Sequence, residues 1–285
     1  METLIEVSNY SFRYRKAKTM ALRGIQFQVY KGEVLAIIGP TGAGKTTICR
    51  SIVGLIPELF EGKHSGEIKV LGKPVSEYSV ETLASIVGYV HQDAESQILM
   101  TNVEKEIAFP LENLGLPREE IHERIERALK LVHLENYRDR HPFYLSGGQR
   151  QRVVLATALA MNPEVLILDE AVSEIDPIGA EEIMTVAKEL NSLGKTIVII
   201  EHNMEEIARF ADRIIVLEEG EMLAEGPAKE VLTNDALLNK LEIFPPETVQ
   251  LFLELRKRGV PIDDIPVDLE VAKQQLKRLV ASVRS

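Results

Sequence analysis

"EVLAIIGPTGAGKTTICRSIVGLI", residues 33–56, decides the fold. It passes from an apolar run without polar alternation, through a glycine-rich turn, into a helix-forming stretch. A strand lacking alternation is buried on both faces, which is the habit of a parallel sheet covered on each side. The turn fits G-x-x-x-x-G-K-S/T, a phosphate-binding P-loop, and it has the required strand before it and helix after it. The candidate cradle is Gly39, Pro40, Thr41, Gly42, Ala43, Gly44, Lys45, Thr46 and Thr47. Gly42 and Gly44 let the backbone turn so tightly that consecutive N–H groups aim at one anion. Lys45 sets a cation against terminal phosphates, and Thr46 offers a hydroxyl to Mg²⁺.

Outward from this stretch the texture changes three times. Residues 4–30 alternate as antiparallel strands do, and "GEIKVLGKPV" reads as a further strand pair. From about Glu104 to Arg140 the period becomes helical, with Ile121, Ile125, Leu129 and Val132 on one stripe and Pro117 suited to a first turn. "EVLILDEA" and "TIVIIEHN" return to buried strands, with an amphipathic helix between them ending at Gly194. Alternating strands and helices imply a doubly wound α/β parallel sheet. An antiparallel β subdomain precedes it, and an α-helical subdomain over about residues 95–160 is inserted. The cassette spans 1–240. Residues 241–285 form a C-terminal helical tail, with Pro246 opening one helix, Gly259 closing it, and Leu269, Ala272, Leu276 and Leu279 striping the next.

Bulk properties exclude several classes. The chain has 285 residues, 44 acids against 33 bases, and a net charge of −11. That argues against nucleic acid held by general electrostatics. The single cysteine, Cys49, rules out an internal disulfide and reads as a small buried residue in a reducing compartment. No apolar run reaches the roughly 20 residues that cross a bilayer, and no signal-peptide core is present.

Further chemistry gathers at strand ends. Asp169 closes "VLILD", where it would hold Mg²⁺ beside the P-loop. Glu170 follows; in extended chain it would face the other way, toward the attacking water. His202, after "TIVIIE", is placed to reach the γ-phosphate, and Gln92, after "VGYVH", to share metal and water. A second anion-type turn lies at "LSGGQ", Leu145 to Gln149, where Ser146, Gly147, Gly148 and Gln149 open a helix.

P-loop, Gln92, "LSGGQ", Asp169–Glu170 and His202, in this order, resemble the nucleotide-binding subunits of ATP-binding-cassette (ABC) transporters over roughly residues 4–235. The resemblance implies ATP and Mg²⁺ as cofactors. Tyr14 would stack on adenine, Gly39 to Thr47 is the Walker A loop, and Gln92 the Q-loop. Asp169 would be the Walker B aspartate, with Thr46 and Gln92 completing the metal site. Glu170 would be the catalytic base, Asp176 the D-loop residue and His202 the switch histidine. It also implies head-to-tail pairing, each "LSGGQ" facing the partner's ATP. Two half-sites in one chain suit a symmetric dimer with two shared nucleotides.

"HQDAESQILMTNVEKEIAFPLENLGLP", with Gln97, Glu106, Phe109, Asn113 and Gly115, and the tail "LEIFPPETVQLFLELRKRG" are similar to ATPases of energy-coupling factor (ECF) importers. That implies a second ATPase, identical or paralogous, paired through the tail. It further implies a membrane T component and a substrate-binding S component for a vitamin or transition-metal ion, at the cytoplasmic face of a prokaryotic membrane. The sequence departs from the family at Ala171-Val172, where Pro-Thr is usual, and at Glu174, where a small residue is common. A conventional importer ATPase, or a non-transport ABC protein acting on ribosomes or DNA, stays open beside the ECF reading.

Overall fold

The structure, a computed structural model, describes residues 2–173 and 175–283. Its strands are β1 (Thr3–Tyr14), β2 (Leu22–Tyr30), β3 (Val34–Ile38), β4 (Gly62–Val70), β5 (Lys73–Pro74), β6 (Val87–His91), β7 (Val165–Asp169), β8 (Thr196–Ile200), β9 (Arg213–Glu218) and β10 (Glu221–Pro227). They form an antiparallel sheet ordered β2-β1-β4-β5 and a second sheet ordered β10-β9-β3-β8-β7-β6. In the second, β9, β3, β8, β7 and β6 run parallel, and β10 pairs antiparallel with β9.

The unbroken apolar run of β3 has a direct cause. Val34, Ala36 and Ile38 pack into one core shared with the helices, while Leu35 and Ile37 pack into another shared with β1 and β2. β7 and β8 split in the same way: Leu166, Leu168, Ile197 and Ile199 face the first core, and Val165, Ile167, Val198 and Ile200 the second. A sheet between two cores has no water-facing side, so polar alternation is absent.

The helices are α1 (Lys45–Ile52), α2 (Leu55–Glu58), α3 (Val80–Ile86), α4 (Val103–Asn113), α5 (Arg118–Leu131), α6 (Gly147–Ala160), α7 (Pro177–Ser192), α8 (Met204–Phe210), α9 (Ala228–Leu232), α10 (Asp235–Lys240), α11 (Glu247–Lys257) and α12 (Leu269–Val283). The inserted helical part is α4 and α5 packed on α6. Ile125, Leu129 and Val132 are buried as their spacing requires, with Ile121 half-buried. Pro117 sits one step before the helix, as N-cap of α5, where its missing N–H costs nothing.

The tail has a small core of its own: Val249, Phe252, Leu253, Ile262, Ile265 and Ala272. Polar contacts tie it to the cassette. The Glu205 carboxylate accepts the Glu247 N–H at 2.6 Å, and Lys257–Asp235 and Lys229–Asp264 pair at 2.8 and 2.7 Å. Leu269 departs from the expected stripe. It is the first residue of α12 and is about half exposed, whereas Ala272 is buried. Among the described residues no helix is long and apolar enough to cross a membrane.

Candidate active site

Parallel strands put their carboxyl ends on one edge. Asp169, ending β7, lies level with His91 at the end of β6 and with Ile200 at the end of β8. β3 neighbours β8 and delivers the P-loop to the same edge. Topology thus brings residues 39–47, Gln92, Asp169–Glu170 and His202 together.

In the P-loop, Gly39 has φ +150° and a Cβ there would meet the Leu217 carbonyl oxygen at 2.1 Å. Gly44, at φ 107°, is the N-cap of α1 with no side-chain cap, so the first-turn N–H groups keep their affinity for an anion. The Lys45 ammonium is buried and donates to the Gly39 and Pro40 carbonyls at 2.9 and 3.1 Å. Burial pulls its pKa down, opposed by the charges of Glu170 and Asp169. The Tyr14 hydroxyl lies 3.1 Å from that of Thr47, and its ring stands edge-on to Phe12. That places Tyr14 at the helix following the cradle.

Asp169 is 1% exposed. It accepts the Thr46 hydroxyl at 3.1 Å on Oδ1 and the Tyr89 hydroxyl at 2.7 Å on Oδ2. Burial pushes its carboxyl up, and these two hydroxyls hold it back. A buried carboxylate beside a threonine hydroxyl is an oxygen donor set of the kind Mg²⁺ prefers, and a divalent cation would offset the desolvation. Tyr89 did not stand out in the sequence. The available signal was a ring with a polar tip between the buried Val87 and Val90, since a buried phenol needs a partner. Burial, then the Asp169 charge, push the Tyr89 hydroxyl pKa upward.

Glu170 differs from the sequence expectation in how it turns. Strand alternation does not orient it, because β7 stops at Asp169 and Glu170 takes φ +55°. Such a conformation costs a non-glycine residue on the order of 1–3 kcal/mol. The surroundings impose it: Glu170 donates its N–H to the Ile200 carbonyl at 2.9 Å, and the Ser173 hydroxyl donates to the Glu170 carbonyl at 2.9 Å. The Glu170 carboxylate consequently lies 3.0 Å from His202 Nε2 and 3.9 Å from Lys45 Nζ. Ala171 and Val172 behind it are buried. Glu174 lies outside the described residues.

A second acid was also missed. Glu201 is 4% exposed, and its carboxylate accepts the backbone N–H groups of Val172 and His202. It therefore ties the turn after Glu170 to the histidine. Its signal was an acid ending the apolar run "TIVII". Burial raises its pKa from 4.5 to about 7. The folded state then holds a proton that the unfolded chain releases, so stability is full below about pH 4.5 and falls as pH rises to about 7. The loss is on the order of 3 kcal/mol. Glu201→Gln stays neutral, so it should gain stability over wild type between pH 5 and pH 8 in urea titrations. An identical difference between the two proteins at both pH values would refute this.

The "LSGGQ" turn is built as a capping box. Ser146 Oγ accepts the Gln149 N–H at 3.3 Å, and Gln149 Oε1 accepts the Ser146 N–H at 3.0 Å. Gly147 and Gly148 occupy the first turn of α6 between them. Gly148 abuts Gly179, since a Cβ on it would sit 3.5 Å from the Gly179 Cα and 3.6 Å from Asp176 Oδ2. Asp176 caps α7, accepting the N–H groups of Ile178 and Gly179 at 3.1 Å each. Among the described residues, no hydrogen bond or ion pair joins 145–149 to 39–47.

Comparison with known proteins agrees with this geometry. The family model described as ABC transporter matches residues 22–173. The energy-coupling factor transporter ATP-binding protein EcfA1 of Bacillus subtilis is 42% identical over 92% of this chain and 92% of its own. The solved structure of CbiO1 from Clostridium perfringens, described as part of the ABC transporter complex CbiONQ, matches with a TM-score of 0.73. It is 32% identical and covers 89% of this chain and 100% of its own. The ATP-binding cassette MJ0796, solved as a dimer in a post-hydrolysis state with ADP and Pi, matches at 0.68 with 29% identity, over 79% of this chain and 99% of its own. With a P-loop, a buried aspartate and a capped "LSGGQ" helix in one cassette, this chain belongs to the ABC transporter ATP-binding family and is an ATP-hydrolysing ABC ATPase.

Proposed function

We propose that the chain is one of two ATPases powering an energy-coupling factor importer of a vitamin or transition-metal ion, bound at the cytoplasmic face of a prokaryotic membrane. One observation carries the mechanism. Lys45, Asp169, Glu170 and His202 converge at one sheet edge, while Ser146–Gln149 open α6 and, among the described residues, make no hydrogen bond or ion pair with the P-loop. Each chain thus holds half of two different phosphate sites, and head-to-tail pairing completes both. Gly39 to Thr47 hold the triphosphate, and Tyr14 stacks on the adenine. Thr46, Asp169 and Gln92 would hold Mg²⁺, which supplies charge neutralisation at the phosphates. Glu170 accepts the proton of the attacking water, and His202, hydrogen-bonded to Glu170, meets the γ-phosphate. Ser146, Gly147, Gly148 and Gln149 contact the partner's nucleotide, with Asp176 at the seam.

The ECF assignment is supported by the Gln97-to-Gly115 segment and by the similarity to EcfA1 and CbiO1. It brings in a T component, an S component and a second ATPase, identical or paralogous. The separate small core of α11 and α12 suits the tail to pairing. The test is detergent extraction of membranes carrying the tagged chain. A multi-spanning T subunit, an S subunit and a second ATPase should copurify. The chain ending at residue 240 should still bind ATP but retain less of the second ATPase. Recovery of rRNA or DNA without a T subunit overturns the transport reading, and undiminished pairing after truncation removes the tail from it.

A further inference from the structure

Gln97 and Glu106 take no part in the chemistry above. Their contacts give them a task. Among the described residues β6 is the last strand of its sheet, and its outer edge has no strand partner among them. Edge groups left unpaired weaken the local hold on a strand. The Gln97 side chain fills that place. Its Oε1 accepts the His91 N–H at 2.8 Å, and its Nε2 donates to the Tyr89 carbonyl at 3.3 Å. One amide thus pairs with β6 as a neighbouring strand would, at the strand's carboxyl end.

Helical residues secure the same segment. Gln151, on α6 and 1% exposed, donates to the His91 carbonyl at 2.8 Å. Glu106, on α4 and 4% exposed, accepts the N–H groups of Leu99 and Met100 at 2.9 and 2.6 Å. The loop leaving β6 is therefore held at its root by Gln97 and Gln151 and at its far end by Glu106. Two groups of the active site hang on the root. Gln92 immediately follows the clasped His91, and Tyr89 carries the hydroxyl bonded to Asp169.

We propose that Gln97 is a positioning residue for ATP hydrolysis, whose amide closes the free edge of β6 and so fixes Gln92 and Tyr89 against Asp169. The inference rests on the reading of Gln92 as a partner of metal and water. A loop staple without influence on the reaction would leave kinetics unchanged wherever the protein stays folded. A positioning residue changes turnover and metal demand while nucleotide binding stays intact.

The experiment is steady-state ATPase on the full-length protein, titrated in ATP and in Mg²⁺. Gln97→Met keeps the side-chain length and removes both bonds. Gln97→Glu keeps the acceptor for the His91 N–H and loses the donor. Losing bonds of this kind should lower kcat about tenfold in Gln97→Met, with KM for ATP within about twofold. The Mg²⁺ concentration for half-maximal rate should rise, and Gln97→Glu should fall between Gln97→Met and wild type. Gln97→Glu alone decides the question if Gln97→Met does not fold. Wild-type kcat and Mg²⁺ dependence in the folded variants overturn the inference. So does a loss of rate that merely tracks a loss of ATP binding and thermal midpoint. Gln92→Ala separates the two readings: if it matches wild type, the reading of Gln92 fails and the inference falls with it. If Gln92→Ala is impaired while the Gln97 variants are silent, the inference fails alone.

Discussion

Glu170→Gln should stop steady-state ATP turnover, by about 10²–10⁴-fold as for loss of a general base, while ATP binding persists. The substitution is nearly isosteric. It keeps an oxygen for His202 Nε2 at the 3.0 Å contact, and it leaves the left-handed backbone at Glu170 in place, since the bonds to Ile200 and Ser173 do not involve the side chain's charge. What it removes is the ability to take a proton from water. It also removes a negative charge 3.9 Å from Lys45 that would otherwise compete with an incoming triphosphate for that cation. Both changes favour the ATP-bound state. In Mg²⁺-ATP the variant should elute at twice the monomer mass in size-exclusion chromatography, with phosphate release near background. Hydrolysis at the wild-type rate would show that Glu170 is not the base.

How much of this site was legible in the sequence depended on whether chemistry and backbone agreed. Residues 33–52 read correctly because each part obeyed its local physics: apolar on both faces, glycine where φ is positive, a lysine opening the helix. The expected helix stops at Ile52, and Gly54 beyond it turns left-handed. The shared placement of Asp169 and His202 was legible because strand ends in a parallel sheet share one edge. The disposition of Glu170 was not, because its left-handed turn depends on the carbonyl of Ile200, distant in sequence on the neighbouring strand, as well as on the nearby Ser173. Tyr89, Glu201 and the clasp by Gln97 were hidden for a related reason. Their partners are backbone groups or a carboxylate brought near by the fold, and no spacing rule announces such contacts. Leu269 shows the converse failure, since periodicity marks a face but not how far the packing along it extends.

If each nucleotide is enclosed by two chains, two dead variants should restore activity when mixed. Lys45→Ala removes the cation that donates to Gly39 and Pro40 in the P-loop and leaves "LSGGQ" untouched. Gly147→Asp leaves the P-loop untouched and sets a carboxylate on the exposed first turn of α6, the turn proposed to face the partner's triphosphate. An aspartate in the first turn of α6 is compatible with the helix dipole, so the fold should survive it. Each variant alone has two defective composite sites. A mixed pair has one doubly defective site and one intact site, made by the P-loop of the Gly147→Asp chain and the "LSGGQ" turn of the Lys45→Ala chain. With random pairing of equal amounts, the rate should rise to at most about a quarter of wild type. The dimer trapped by Glu170→Gln establishes beforehand that copies of the chain pair. Given that pairing, a mixture no faster than the two variants measured separately would mean that hydrolysis is completed within one chain. Ser146–Gln149 would then have to reach the triphosphate of their own P-loop by motion within the cassette instead of by dimerisation.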